Sequence, residues 1–251
     1  MARPADPNAK SALVAAARAQ FREHGIQRAR IEDITAACGL SKGAFYLHYE
    51  SKEALFAELV KDFERRMDAM FERRSAEEDA FFSKRGPFRS NDFASGSERM
   101  AALIELQTRQ DVEALEVMWA MRDVIHVLIN GSQGTAFDGV IWHIIDREEH
   151  RVVVACDRLK KFGVIRTDLS SEAIAMVLMG AWVLTMRKMV SRPEKPDFTT
   201  IITELNVVVG EGLSPQRAQP AAKPARKSSS APRVPVARTR NPRSARMRKA
   251  P

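Results

Sequence analysis

The run Ser41-Lys42-Gly43-Ala44-Phe45-Tyr46-Leu47-His48-Tyr49 has the split character that lets a short helix be presented to the DNA major groove. Phe45 and Tyr49, four apart, can anchor inward, which turns Lys42, Gly43, Ala44, Tyr46 and His48 outward. The small residues at 43 and 44 let the backbone approach bases and a thymine methyl, Lys42 can reach guanine acceptors, and Tyr46 offers a hydroxyl to phosphate. A structural helical hairpin that never meets DNA carries the same pattern, so the residues alone leave both readings open.

Two other groupings have residue types suited to chemistry. His143, Asp146 and His150 stand at i, i+3 and i+7, so one helix face offers two imidazoles and a carboxylate to a metal. Asp146 to Arg151 is an unbroken charged or polar run, however, and a solvated helix face accounts for it more simply. Cys156 carries a thiol but follows Val152-Val153-Val154-Ala155 and has no evident resolving partner, which points to a small buried side chain rather than a redox sensor. The chain lacks a Gly-x-Ser-x-Gly elbow, a His-Glu-x-x-His zinc site, a Cys-x-x-Cys pair and a phosphate-binding glycine loop, so neither an enzyme nor a metal or other cofactor is called for.

The elements that must position residues 41–49 are helical. Leu13, Ala17 and Phe21 recur every four residues within 10–24, and Gly25 suits a helix end. Ile31, Ile34 and Cys38 mark a second helix; Gly39 then supplies a sharp turn and Ser41 a cap for the third. From Ser51, which caps the next helix with Glu53 at its positive end, Leu55, Phe56, Leu59, Val60, Phe63, Met67, Met70 and Phe71 form a broad apolar stripe. Helical patterns continue over 98–110, 112–129, 137–162, 172–190 and 199–209, while 77–97 reads as an irregular connection with one helical turn. No segment alternates as a strand and no internal repeat is evident, so the fold class is all-α.

Charge divides the 251 residues in the same way. Of 40 Lys and Arg against 32 Asp and Glu, the segment 213–251 holds 11 basic residues and no acidic one, which leaves 29 against 32. Residues 1–52 carry 8 basic against 5 acidic, so 53–212 is acidic, with 21 against 27. The segment 213–251 is rich in Pro, Ala, Ser, Arg and Lys and reads as a disordered basic tail, an electrostatic aid to DNA binding or a solubilising extension. Two cysteines and the lack of a secretory signal pattern point to the cytoplasm. The nearly apolar stretch Ala173 to Met186, between Glu172 and Arg187, has 14 residues, short of the roughly 20 of a membrane span, and reads as a buried helix with no membrane partner.

The run from Ile31 to Phe56 resembles the signature of the TetR family of bacterial transcriptional regulators almost end to end, most tellingly in Gly39-Leu40-Ser41-Lys42-Gly43, Phe45-Tyr46, His48-Tyr49 and Ser51-Lys52-Glu53. The resemblance is strong over residues 10–60; beyond, only Phe162 to Leu169 and Gly210-Glu211-Gly212-Leu213 look like the family's landmarks. It implies a three-helix helix-turn-helix DNA-binding domain over 1–52 and a helical effector-binding and dimerisation bundle over 53–212, ahead of the tail at 213–251. Ser41, Lys42, Gly43, Ala44, Tyr46 and His48 become recognition-helix residues, and Lys52 a phosphate contact. Where the family commonly has a Ser or Thr cap on the second helix this chain has Arg30 and Ile31, and Thr35 replaces a frequent Ala; Arg28 and Arg30 take the electrostatic place of the capping hydroxyl.

In the middle domain, Ile174, Val177, Leu178, Ala181, Trp182 and Thr185, followed by Ile201, Leu205 and Val208, make the last two helices apolar enough for a homodimer interface, with burial inside one subunit as the competing account. Met118, Trp119, Met121, Arg122, Ile125, His126, Phe137, Trp142 and Met186 are the aromatic, sulfur-containing and polar residues suited to an effector pocket, although such stripes usually serve as core. The resulting expectation is a homodimeric repressor that leaves a double-stranded DNA operator when a small, apolar or amphipathic effector fills the middle domain. The alternative is an effector-independent DNA-binding dimer acting through a protein partner.

Overall fold

The computed structural model describes residues 7–94 and 96–214. Helix α1 (Pro7–Arg28) buries Leu13, Ala17 and Phe21 on one face, as their four-residue spacing requires. At Gly25 the backbone turns to φ 71°, ψ 171°, a conformation only glycine adopts readily, and one further helical turn follows. That kink brings the chain against Gly131: Ile26 N–H donates to the Gly131 carbonyl at 3.0 Å, and a Cβ on Gly131 would stand 3.0 Å from the Gly25 Cα.

Helices α2 (Ile31–Ala37) and α3 (Lys42–Tyr46) are short and depend on their neighbours. The turn between them closes with Leu40 N–H donating to the Thr35 carbonyl at 2.9 Å, with Gly39 at φ 68°. Ser41 caps α3, its hydroxyl accepting from Ala44 N–H at 3.1 Å, and Ser51 caps α4 (Lys52–Arg85) in the same way through Ala54 N–H at 3.0 Å. The 34 residues of α4 span about 51 Å.

Helix α4 continues through much of the stretch expected to be irregular, because Glu78 and Phe82 extend its inward face. Arg74 pairs with Glu78 at 3.3 Å and with Asp111 at 2.6 Å, and the Phe82 ring stacks on Phe162 at 4.1 Å. A 3-10 turn (Ser90–Phe93) leads to α5 (Glu98–Ala120) and α6 (Arg122–Asn130). The break expected near residue 111 falls instead at Met121, where α6 turns beneath α1 with the Met121 side chain buried. Then α7 (Val140–Lys161), α8 (Ser171–Val190) and α9 (Phe198–Leu213) complete the bundle. Arg151 of α7 reaches Asp68 of α4 at 2.6 Å and also pairs with the buried Glu148, whose carboxyl burial pushes above the usual range.

The main core runs without interruption across residues 52 and 53. Phe21 meets Phe56 edge-on at 5.4 Å and Phe56 meets Phe137 at 4.9 Å, so N-terminal and middle helices share one apolar cluster. A second cluster at the far end of α4 holds Phe82, Phe88, Leu103, Cys156 and Ile174, and a third joins Leu115 and Met189 to Phe198 and Ile202.

Three expectations need correction. The stretch 173–186 is not a buried helix: α8 has 20 residues, is long and apolar enough by composition to cross a membrane, and exposes Met176, Val177, Gly180 and Leu184 while Ile174, Ala175, Met186 and Met189 pack inward. Among the interface candidates, Val177 and Val208 are 69% and 74% exposed, but Ile174 is buried, and Trp182, Ile201 and Leu205 pack against internal clusters because the i, i+3, i+4 rows containing them face α5 and α7 rather than outward. Leu178, Ala181 and Thr185 are half-buried at the margin of the outward face, which Val207 extends. Leu213 ends α9 rather than beginning a tail: its carbonyl accepts from Arg166 N–H at 2.9 Å and its side chain packs on the Phe82 cluster. The basic tail from residue 215 lies outside the described residues.

Phe45 is fully buried and anchors a helix of only five residues. Phe45→Ala is therefore expected to cost about 3–5 kcal/mol, read as a lowered urea midpoint and melting temperature.

Candidate nucleic-acid interface

The outward surface of α3 follows from what its two inward rings do. Phe45 and Tyr49 are buried with ring centroids 5.8 Å apart, in the core cluster that also holds Leu13, Ile34 and Leu55. Ser41, Lys42, Gly43 and Tyr46 face solvent, with Tyr46 50% exposed and held edge-on to Phe45 at 5.6 Å. Ala44 and His48 are half-buried, less open than their positions in the sequence implied, because Ala44 N–H is drawn to the Ser41 cap and His48 N–H to the Phe45 carbonyl. Leu47, missed as an outward residue, is 63% exposed beside Tyr46; its position two residues after Phe45 is the signal that placed it.

The cations at this surface differ in their freedom. Lys42 Nζ donates to Glu32 Oε1 at 2.7 Å, a pair that holds the Glu32 carboxyl below the usual carboxylate range and raises the Lys42 ammonium. The exposed Arg30 occupies the cap position of α2 without making a side-chain cap bond, as its residue type dictates, and lies 3.9 Å from Glu32. Arg28 is exposed and donates from Nε to the His24 carbonyl at 3.2 Å. Lys52, expected as a phosphate contact, donates to the Gln27 and Ala29 carbonyls, each at 2.8 Å, and its side chain is only 18% exposed. Its ammonium thus ties the start of α4 to the end of α1.

Arg30, Lys42, Tyr46 and Lys52 come together around an open hollow of about 310 Å³, which Gln27, Glu32, Glu50 and Glu53 also line. Its cations are matched by carboxylates, so its chemistry is that of ion-pair exchange: an incoming phosphate competes with Glu32 for Lys42. Arg28, Ser41, Gly43, Ala44 and His48 lie outside this hollow.

The effector-pocket candidates are distributed differently. Met121, Ile125 and Met186 are buried in the main core with Met118 and Phe137 packed on it. Trp119 meets Phe198 at 6.3 Å, and Arg122 stacks 4.1 Å above the Trp119 ring while donating to its carbonyl at 3.0 Å. His126 is half-buried, and burial together with Arg22 pushes its imidazole below the usual value. Trp142 departs from the expectation: it is 60% exposed, on the side of α7 away from Ile141 and Ile144. A second open hollow, about 290 Å³, lies between α4 and α5 and includes none of these candidates. His143, Asp146 and His150 are exposed along α7, and among the described residues no cluster of three His, Cys, Asp or Glu side chains is arranged to hold a metal. Cys156 is buried, which pushes its thiol up.

What sequence spacing could not show is how tightly α1 is bound to α6. Arg18 forms a two-pronged pair with Asp123, one contact at 2.6 Å, and donates to the Ala120 carbonyl at 2.7 Å. Gln27 Nε2 donates to the Gln133 and Gly134 carbonyls at 3.1 and 3.0 Å. These contacts join residues more than 100 positions apart, so no local pattern signals them.

Residues 13–59 match the sequence model of the family described as bacterial regulatory proteins, tetR family. Over 60 residues the chain is 38% identical to the HTH-type transcriptional regulator YdgC of Bacillus subtilis (strain 168), covering 24% of this chain and 31% of that protein. Over 43 residues it is 44% identical to the HTH-type transcriptional repressor DhaR of Mycobacterium sp. (strain GP1), covering 17% and 22%. The chain thus spans less than a third of the length of these relatives. Among solved structures, the ketosteroid transcriptional regulator KstR2 of Mycobacterium tuberculosis shares the fold with a TM-score of 0.57 at 20% identity, over 83% of this chain and 96% of that one. The MbdR regulator of Azoarcus sp. CIB does so with a TM-score of 0.55 at 20% identity, over 82% and 98%. The fold is the all-α architecture of helix-turn-helix regulators with a helical C-terminal domain. Residues 13–59 of this chain thus carry the sequence pattern of the tetR family of bacterial regulatory proteins.

Lys52→Met strips a charged donor from two carbonyls and is expected to lower stability by about 1.5–3 kcal/mol in urea titrations. Lys42→Met, which breaks only an exposed pair, should leave the midpoint close to that of the unaltered protein.

Proposed function

We propose that this protein is a sequence-specific, DNA-binding transcriptional regulator of the cytoplasm. It acts as a homodimeric repressor that a small molecule releases from its operator. The observation that carries the DNA-binding part is the geometry of α3: a capped helix anchored by Phe45, with Lys42, Gly43 and Tyr46 exposed on its outer surface. Lys42 contributes a base contact once it exchanges Glu32 for the duplex, and Arg28 and Arg30 contribute sequence-independent attraction to phosphate.

Dimerisation is supported by the outward apolar face of α8 and α9, where Met176, Val177, Leu184, Val207 and Val208 are each more than half exposed. Exposed apolar side chains of this kind are more favourable against a second copy than against water. Pairing these faces across a twofold axis gives two recognition helices for successive major grooves.

Release follows from the links between α6 and α1. An effector that binds better to a displaced α6 pulls on Asp123 and Gly131, and through Arg18 and Gly25 rotates the N-terminal helices out of register with the groove. The second reading, an effector-independent dimer with a protein partner, is favoured by the packing: Met121, Ile125 and Met186 lie within the core, and neither open hollow is lined by a pocket candidate. Selection of bound duplexes from a random pool, repeated with small molecules that raise the melting temperature, separates the two readings: a compound that lowers operator affinity establishes the first.

In binding to the selected operator, Lys42→Ala and Tyr46→Ala should each weaken affinity by about 1–3 kcal/mol without loss of the folded dimer, and unchanged affinity in both would remove α3 from the recognition role. Val177→Asp combined with Val208→Asp should shift the sedimenting species from dimer to monomer, since each places an unpaired charge in the apolar face.

A further inference from the structure

We infer that Arg187, Lys188 and Arg192, at the passage from α8 to α9, form a second, sequence-independent contact surface for duplex DNA on the middle domain. This rests on the DNA-binding reading above and adds to it a site away from the helix-turn-helix.

Their location follows from which clusters the two helices join. The start of α8 packs through Ile174 on the Phe82 cluster at the far end of α4, whereas its last turns pack through Met186 and Val190 into the core that holds Leu13, Phe21 and Phe56. Helix α9 runs back the other way, from Phe198 beside Leu115 to Leu213 beside Phe82. The connection 191–197 therefore lies at the end of the middle domain that adjoins the N-terminal helices, while the Phe82 end is about 45 Å along α4. Lys195 Nζ confirms the placement by pairing at 2.6 Å with Glu116 in α5, whose Ala120 carbonyl accepts from Arg18 of α1 at 2.7 Å.

Charge at this end runs against its surroundings. Residues 53–212 hold 21 basic and 27 acidic side chains, yet 187–195 holds Arg187, Lys188, Arg192 and Lys195 against Glu194 alone. Lys195 is taken up by Glu116, whereas Arg187, Lys188 and Arg192 are exposed and have no ion-pair partner among the described residues. Arg187 and Lys188 lie in the last turn of α8, where cations also complement the helix's partial negative charge; Arg192 lies beyond the helix end. The guanidinium and ammonium groups at this end of the middle domain attract the phosphates of a duplex by a field that salt screens over about 8–10 Å.

The test is the full-length triple variant Arg187→Gln, Lys188→Gln, Arg192→Gln, measured across a salt series against a random-sequence duplex and the selected operator. The slope of log affinity against log salt should fall by at least about one, affinity should fall by the same factor on both duplexes, and the dimer should persist. Lys84→Gln with Arg85→Gln, at the far end of α4, should keep the unaltered slope. Arg192→Gln alone, outside the helix, should show part of the change with an unchanged melting temperature, and it decides the matter if the triple variant misfolds. A folded triple variant, or in its absence the single one, with unaltered slope and affinity overturns the inference. Failure of the unsubstituted protein to bind either duplex would instead overturn the DNA-binding reading itself, and this surface with it.

Discussion

The contact between Gly25 and Gly131 sets the orientation of everything that could meet DNA. Each residue has no Cβ for the same reason: a side-chain carbon on Gly131 would stand 3.0 Å from the Gly25 Cα, while Gly25 itself adopts φ 71°. The close approach lets the Ile26 N–H reach the Gly131 carbonyl, and the Arg18–Asp123 pair fastens the other end of α6 to α1. Helices α2 and α3, at seven and five residues, are too short to hold their own direction; α2 takes it from α1, and α3 from α2.

The electrostatics of the exposed face are those of a surface already satisfied by the protein. Lys42 is engaged by Glu32 and Lys52 by two carbonyls, so these two cations at the described surface are already paired within the chain. Glu32 titrates below an ordinary glutamate, so its pair with Lys42 is complete at neutral pH and is lost only as pH falls through that depressed value.

Helices α8 and α9 show how one segment serves two surfaces. Ile174, Met186 and Met189 fill the space against the bundle, and Met176, Val177 and Leu184 face outward on the same helix. A helix apolar on all sides needs a covering on each, and within one chain only the inward side is covered.

Much of this was determined by the sequence alone. The four-residue spacing of Leu13, Ala17 and Phe21, the caps Ser41 and Ser51, the turn at Gly39 and the stripe from Leu55 to Met70 each report a local rule of helix formation, and all hold in the fold. The outward residues Lys42, Gly43 and Tyr46 were legible for the same reason, since the inward positions of Phe45 and Tyr49 fix what faces out. Tertiary structure decided what periodicity is silent about. It tied Lys52 to the end of α1, exposed Trp142, divided the apolar residues of α8 between inside and outside, and joined Arg18 to Asp123. Each of these depends on a partner distant in the chain, and a helical pattern specifies which residues share a face but not which neighbour that face will meet.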